Sequence, residues 1–340
     1  MTRINIIAWH NGGGLSRDID TLFDALPTDR FEVTLNGAPR ERARIQRRRI
    51  AHRVSNVRYR WQHHSALAAT KFDVNLFLED ISPGFFPYAR ANMFIPNPEW
   101  FKANQRRHLR GIDSVLCKTR DAEKTFSALG CTTRFIGFTS EDRSDTTGTE
   151  KPQNTFFHMA GRSWQKGTKP LVALWLQHPE WPALTVVQNA RTYSQSKVEP
   201  IVASNIQHLL TRLDDAALRQ LQNRHAIHLC PSEAEGFGHC IAEAMSCGAL
   251  TLTTDAPPMN ELITPERGVL VQYNRTRKQR AGVNYYVDPA DLERKIQHII
   301  AMDQPSRQTL GERARQWFRE NDRQFRTRLI EALEQPLPAR

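Results

Sequence analysis

The sequence predicts an α/β protein made of two parallel-sheet domains, and three observations carry that reading. Short β-like runs alternate with helix-like runs along most of the chain, the pattern of strands joined by helical crossovers. The alternation stops at SEDRSDTTGTEKPQN (140–154), a polar stretch rich in Asp, Ser and Thr, and then restarts. With 340 residues the chain is long enough for two ordinary cores rather than one. The expected domains are therefore 1–150 and 151–340, with the last helix packing back on the first of them.

In chain order the first half offers strands at 4–9 (INIIAW), 31–35, 73–78 (DVNLFL), 91–95 (ANMFI), 113–117 and 133–138. Helices are expected at 16–26 and at 120–129, where apolar or small residues at 122, 126 and 129 keep helical spacing. After the polar stretch come strands at 155–160, 184–188, 226–230 and 249–253. Helices at 168–177, 214–223, 239–247, 289–302 and 306–334 complete the pattern.

Composition narrows the function classes. Hydrophobic residues make up 39% and aromatic residues 9%, enough for packed cores. No run approaches the ~18 apolar residues of a membrane-spanning helix. The opening MTRINIIAWHNGGG reads as a first strand rather than a secretion signal. The five cysteines are odd in number and form no CxxC pair, against a disulfide framework or a structural zinc site. A cytoplasmic protein is expected, with peripheral membrane contact left open. The net charge of +11 points to a polyanionic partner. It is concentrated in RERARIQRRRIAHRVSNVRYR (40–60), which holds nine arginines against one glutamate.

The densest chemistry lies in PSEAEGFGHCIAEAMSCGA (231–249). A strand ends before Pro231, Gly236 and Gly238 fall where a loop enters a helix, and Gly248 stops that helix. Glycines let backbone N–H groups approach a ligand, and a helix N-terminus favours an anion, so a phosphate or diphosphate is the natural guest. Glu235 would face that guest from the loop. Glu243, on the helix, could accept hydrogen bonds from a ribose diol, or could be an ordinary solvated helix residue. A second cluster, HMAGRSWQKGTKPLV (158–172), puts Arg162 and Lys166 at a strand-to-helix junction, where two cations could neutralise a departing diphosphate.

The first string resembles the hallmark of the family-4-like retaining glycosyltransferases of the GT-B fold. It has Pro231-Ser232, Glu235-Gly236-Phe237-Gly238, then Glu243-Ala244-Met245 and Cys247-Gly248, with seven residues between the glutamates. The Gly161-Arg162 and Lys166-Gly167 pairs resemble the same family's second motif, with a spacing one residue shorter. The loop WHNGGGLSRDID, with Gly12, Gly13 and Gly14, resembles its N-terminal glycine loop.

The resemblance implies two Rossmann-like domains facing across a central cleft, with the donor held by the second. It implies that Glu235 and the Gly236, Phe237 and Gly238 amides meet the donor sugar and diphosphate, and that Glu243 holds the ribose. Arg162 and Lys166 would stabilise the leaving diphosphate without a metal or other cofactor. The implied reaction is retaining transfer from a nucleotide-diphosphate sugar, UDP-linked by expectation.

The acceptor is expected to be polyanionic, held in part by Arg47, Arg48, Arg49 and Arg53. An envelope glycan or lipid-linked saccharide is the first reading. DNA carrying hydroxymethylated bases is the alternative, because arginine with nearby aromatics also suits nucleic acid. A non-catalytic polyanion-binding protein on the same scaffold is a third class, which the intact donor motif opposes.

Overall fold

The computed structural model describes residues 1–9, 12–36, 70–145, 154–190, 201, 203–211 and 213–335. The chain forms two compact units: Met1–Gly137 with Gln324–Arg340, and Phe138–Arg323.

The first unit holds a six-stranded sheet in the order β2-β1-β3-β4-β5-β6. Its strands are β1 (Thr2–Ile7), β2 (Phe31–Asn36), β3 (Phe72–Leu78), β4 (Ala89–Ile95), β5 (Ser114–Cys117) and β6 (Thr133–Phe135), all paired in parallel. The order reverses at β1 and β3. The loop after β1, carrying Gly12–Gly14, therefore lies at the switch point of this sheet.

An asparagine chain crosses the sheet interior. Asn36 Nδ2 donates to Asn5 Oδ1 (2.6 Å), Asn5 to Asn75 (2.7 Å) and Asn75 to Asn92 (2.8 Å). Asn92 closes the run on the Phe86 carbonyl at 3.3 Å. Asparagine is a poor strand former, but here each buried amide is satisfied by the next. A one-residue slip would break the run, so the ladder pins the register.

The second unit holds six strands in the order β12-β11-β10-β7-β8-β9. They are β7 (Phe156–Gly161), β8 (Leu184–Gln188), β9 (Ile206–Leu209), β10 (Ile227–Cys230), β11 (Leu250–Thr254) and β12 (Val269–Val271). All pairings are parallel. Counted from β7 this is the doubly wound 3-2-1-4-5-6 order, with its switch point between β7 and β10. The strands are buried nearly throughout, because helices cover a parallel sheet on both faces. Phe156, Trp175, Leu184, Leu229, Leu252 and Ile296 are central to that core.

Three features differ from the sequence reading. The division falls after Gly137, not near 150. Phe138 packs edge-on to Phe237, and the buried Arg143 is held by Glu141, Asp215, Gln222 and Ser246. Residues 140–145, the described part of the stretch that reads as linker by polarity, are thus anchored to the rest of the second unit through Arg143. An antiparallel ribbon, β13 (Tyr273–Gln279) and β14 (Gly282–Val287), went unread although GVNYYV is rich in strand-forming residues, because β13 is exposed and polar and the turn is Arg-Ala rather than Asn-Gly. Strand β9 and the short β12 were also unread.

The C-terminal helix runs from Gln304 to Glu334, and its residues from Gln324 onward belong to the first unit. There Arg326 pairs with Asp24, and Glu331 with Arg134. None of the five cysteines forms a disulfide. Among the described residues no helix is long and apolar enough to cross a membrane.

Candidate functional site

The loops leaving β7 and β10 carry the two predicted clusters, and both emerge at the switch point of the second sheet. The β7 loop ends at Gly167, which precedes the helix Thr168–Gln177 with φ 69°. A Cβ there would lie 2.1 Å from the Pro231 carbonyl oxygen of the β10 loop. Only glycine tolerates both the left-handed backbone and that approach. The Lys-Gly and Pro-Ser pairs are therefore two halves of one contact. The β10 loop ends at Gly238 (φ 112°), which precedes the helix His239–Ser246, and Gly248 (φ 66°) follows that helix. Neither helix has an acidic residue in its first turn, so both N-termini are open to an anion.

Lys166 Nζ reaches across to Glu235 Oε1 at 2.5 Å, and Ser232 Oγ donates to the same oxygen at 2.6 Å. Cys240 Sγ lies 3.4 Å from Lys166 Nζ and 3.6 Å from Glu235 Oε1. Burial pulls the Lys166 pKa down, but the Cys240 and Glu235 side chains outweigh it and raise it, so the ammonium stays charged. The Cys240 thiol is pulled below its usual range by its hydrogen bond with Cys230 and by Lys166. Glu235 Oε2 takes no hydrogen bond from the described residues. One carboxylate oxygen is saturated and the other is available to a ligand hydroxyl.

Arg162 is exposed at the start of the β7 loop. Gly236 is buried, and the Phe237 ring is buried against Phe138 and His239. The ring anchors the loop, which leaves only the backbone of this stretch to meet a ligand.

Glu243 is 2% exposed and is not a solvated helix residue. Gln222 Nε2 donates to its Oε2 at 2.8 Å, and Arg143 Nε donates to Gln222 Oε1 at 2.9 Å. Arg143 in turn binds Asp215 and Glu141. Neither Gln222 nor Arg143 was marked by sequence reasoning, and only their place beside Glu243 identifies them. Asp214 caps its helix through the Ala217 N–H. Among the described residues no group of three or more His, Cys, Asp or Glu side chains could hold a metal.

His158, on β7, is a third residue missed in the sequence. Its Nδ1 faces the Leu229 carbonyl of β10 at 2.7 Å and must carry the proton, so Nε2 accepts from Thr168 Oγ1 at 2.8 Å. One neutral ring thereby joins β7, β10 and a helix start. Burial pulls its pKa to about 4, against the Leu229 carbonyl, which favours the charged form.

In the first unit Gly12 adopts φ 68° and donates its N–H to Ser16 Oγ at 2.8 Å. Gly13 precedes the helix that Gly14 begins. Asp18 of that helix forms a buried ion pair with Lys118 at 3.0 Å. Arg47, Arg48, Arg49 and Arg53 lie outside the described residues.

The family model described as "Glycosyl transferases group 1" matches residues 147–317, just over half of the chain. No curated protein matches the sequence. Solved structures share the fold at low identity. The Anabaena protein HepE in complex with UDP-glucose superposes with TM-score 0.71 at 15% identity, covering 99% of this chain and 100% of that one. Sucrose-phosphate synthase from Thermosynechococcus elongatus gives 0.71 at 14%, covering 98% and 99%. The E. coli trehalose-6-phosphate structure bound with UDP-2-fluoro glucose gives 0.69 at 11%, covering 99% and 100%. These likenesses establish the α/β fold with two six-stranded parallel sheets, that of the GT-B type.

Proposed function

The chain belongs to the group 1 glycosyl transferases, and from that premise we propose that it moves a sugar from a UDP-linked donor to a hydroxyl of a polyanionic acceptor, with retention at the anomeric carbon and without a metal. The observation that carries the donor reading is the Lys166–Glu235 pair, formed across the switch point between two helix N-termini. The UDP and UDP-sugars held by structures of the same fold support that donor class.

In this reading the two helix starts, Lys166 and Arg162 offset the charge that builds on the leaving diphosphate. Glu235 offers Oε2 to a donor-sugar hydroxyl while Ser232 and Lys166 hold Oε1. That arrangement suits a positioning and charge-stabilising group better than an attacking one, since a nucleophilic carboxylate is weakened by donors that saturate it. Glu243, held by Gln222, receives the ribose diol. Gly236–Gly238 give backbone N–H groups to phosphate oxygens.

The proposed acceptor is a phosphorylated glycan or lipid-linked saccharide, reached from the cytoplasm, as the charge of +11 favours. Hydroxymethylated DNA is the alternative that the arginine run of 40–60 favours. Incubation with a UDP-sugar panel and either acceptor in excess EDTA, followed by NMR of the product, tests the reading. Product with the donor's anomeric configuration is expected. An inverted product or a requirement for divalent ions overturns that part. Transfer that depends on the hydroxymethyl group moves the acceptor to DNA.

A further inference from the structure

Strand β12 does not lead into its helix Pro289–Ala301 by the usual connection of about two to six residues. Residues 272–288 intervene and build the ribbon β13–β14. Because the sheet is parallel, the ribbon leaves from the same edge as the loops after β7 and β10. It is joined to both. The Tyr285 N–H donates to the Glu233 carbonyl at 2.8 Å. Gln165 Nε2 donates to Gln279 Oε1 at 2.8 Å and to Asn284 Oδ1 at 3.3 Å. The Glu233 N–H closes the circuit on the Gln165 carbonyl at 2.7 Å.

The ribbon is unusual in charge. From Tyr273 to Val287 it carries Arg275, Arg277, Lys278 and Arg280 and no carboxylate, where a bland surface mixes the signs. Arg275 lies over the Tyr286 ring at 4.0 Å. Arg277 and Lys278 are exposed and have no ion pair among the described residues. Directly before Gln165, on the turn that the ribbon clamps, Trp164 is 79% exposed. An indole left in water next to Gln165, which bonds the cationic ribbon through Gln279 and Asn284, marks a binding surface rather than a packed one.

We propose that β13–β14 and Trp164 form the docking surface for the acceptor, and that this acceptor is a phosphorylated glycan. The proposal rests on the glycosyltransferase reading above. The indole face suits the apolar face of a pyranose ring, and Arg277, on the ribbon face that carries Gln279, suits its phosphate groups. Single-stranded nucleic acid is the weaker match because it uses a succession of open aromatic platforms. Here Trp164 stands open, but Tyr273 is packed edge-on to Tyr285 and Tyr286 lies under Arg275.

The test uses the full chain and the variants Trp164→Ala and Arg277→Ala/Lys278→Ala. Binding is measured to an oligosaccharide bearing 6-phosphate groups, to the same oligosaccharide after phosphatase treatment, and to oligothymidylate. Binding of UDP-glucose is followed in parallel. The expected result is selective binding of the phosphorylated oligosaccharide, weakened roughly tenfold or more by each variant, with UDP-glucose binding unchanged. Unchanged oligosaccharide binding in both variants overturns the docking surface while leaving the donor reading intact. Tighter, variant-sensitive binding of oligothymidylate overturns the glycan assignment in favour of nucleic acid. Failure of the unaltered chain to bind UDP-glucose or UDP would count against the UDP-donor reading rather than the docking surface.

Discussion

Lys166 and Glu235 meet at 2.5 Å although they are carried by loops that follow two different strands. The contact exists because β7 and β10 are neighbours at the switch point and because Gly167 lets one loop press on Pro231 of the other. It joins the two motif clusters into one site.

Substitution of either partner should therefore damage catalysis more than binding. Glu235→Gln keeps the shape but removes the charge that holds Lys166. A fall in kcat on the order of 10²-fold is expected for it and for Lys166→Met, with a much smaller further loss in the double variant. Steady-state kinetics of donor hydrolysis and transfer would check this. Fully additive losses would show that the pair does not act as a unit.

Gln222 offers a separate handle on the nucleotide. Gln222→Ala leaves Glu243 and Arg143 without their shared partner, at a cost of about 1–3 kcal/mol in stability. Calorimetric titration with UDP should show roughly tenfold weaker binding for this variant and for Glu243→Ala. Unchanged UDP affinity in Glu243→Ala would sink the ribose assignment.

Gly167→Ala combines a left-handed backbone with a Cβ driven into the Pro231 carbonyl. A loss on the order of 3 kcal/mol is expected in urea denaturation. Gly14→Ala is the control, since nothing lies within 4 Å of its added Cβ.

Acid should weaken the fold through His158. In the unfolded chain the ring takes up a proton near its ordinary value of 6.5, but in the folded chain only near 4. The unfolded state thus binds more protons between these values, and stability falls as pH drops through that window and is level above it. The loss amounts to about 3 kcal/mol across the window. Urea midpoints at pH 7 and pH 4.5 should converge in His158→Asn relative to the unaltered chain. His208 and His225, also shifted down by burial, would leave a residual slope.

Much of the fold was legible in the sequence for a physical reason. The strands INIIAW, DVNLFL, TFFHMA and AIHLC are nearly continuous apolar runs because helices cover both faces of a parallel sheet. Strand β13 was not legible, since its residues answer to solvent and, at Gln279, to Gln165 rather than to a core. Nothing in the sequence marks the asparagines at 5, 75 and 92 as partners. That they satisfy one another depends on which strands pair, and local sequence does not encode that pairing.

The site divides the same way. The string from Pro231 to Gly248 determined by itself where the glycines, the two glutamates and the helix start would lie, because backbone conformation and helix ends are set by near neighbours. Its partners were decided by the tertiary structure alone. Lys166 is 69 positions from Glu235, and Arg143 is 79 positions from Gln222. Hydrogen bonds and ion pairs between such distant residues leave no period or spacing to read. They form because strand order and burial place polar groups where only one another can satisfy them.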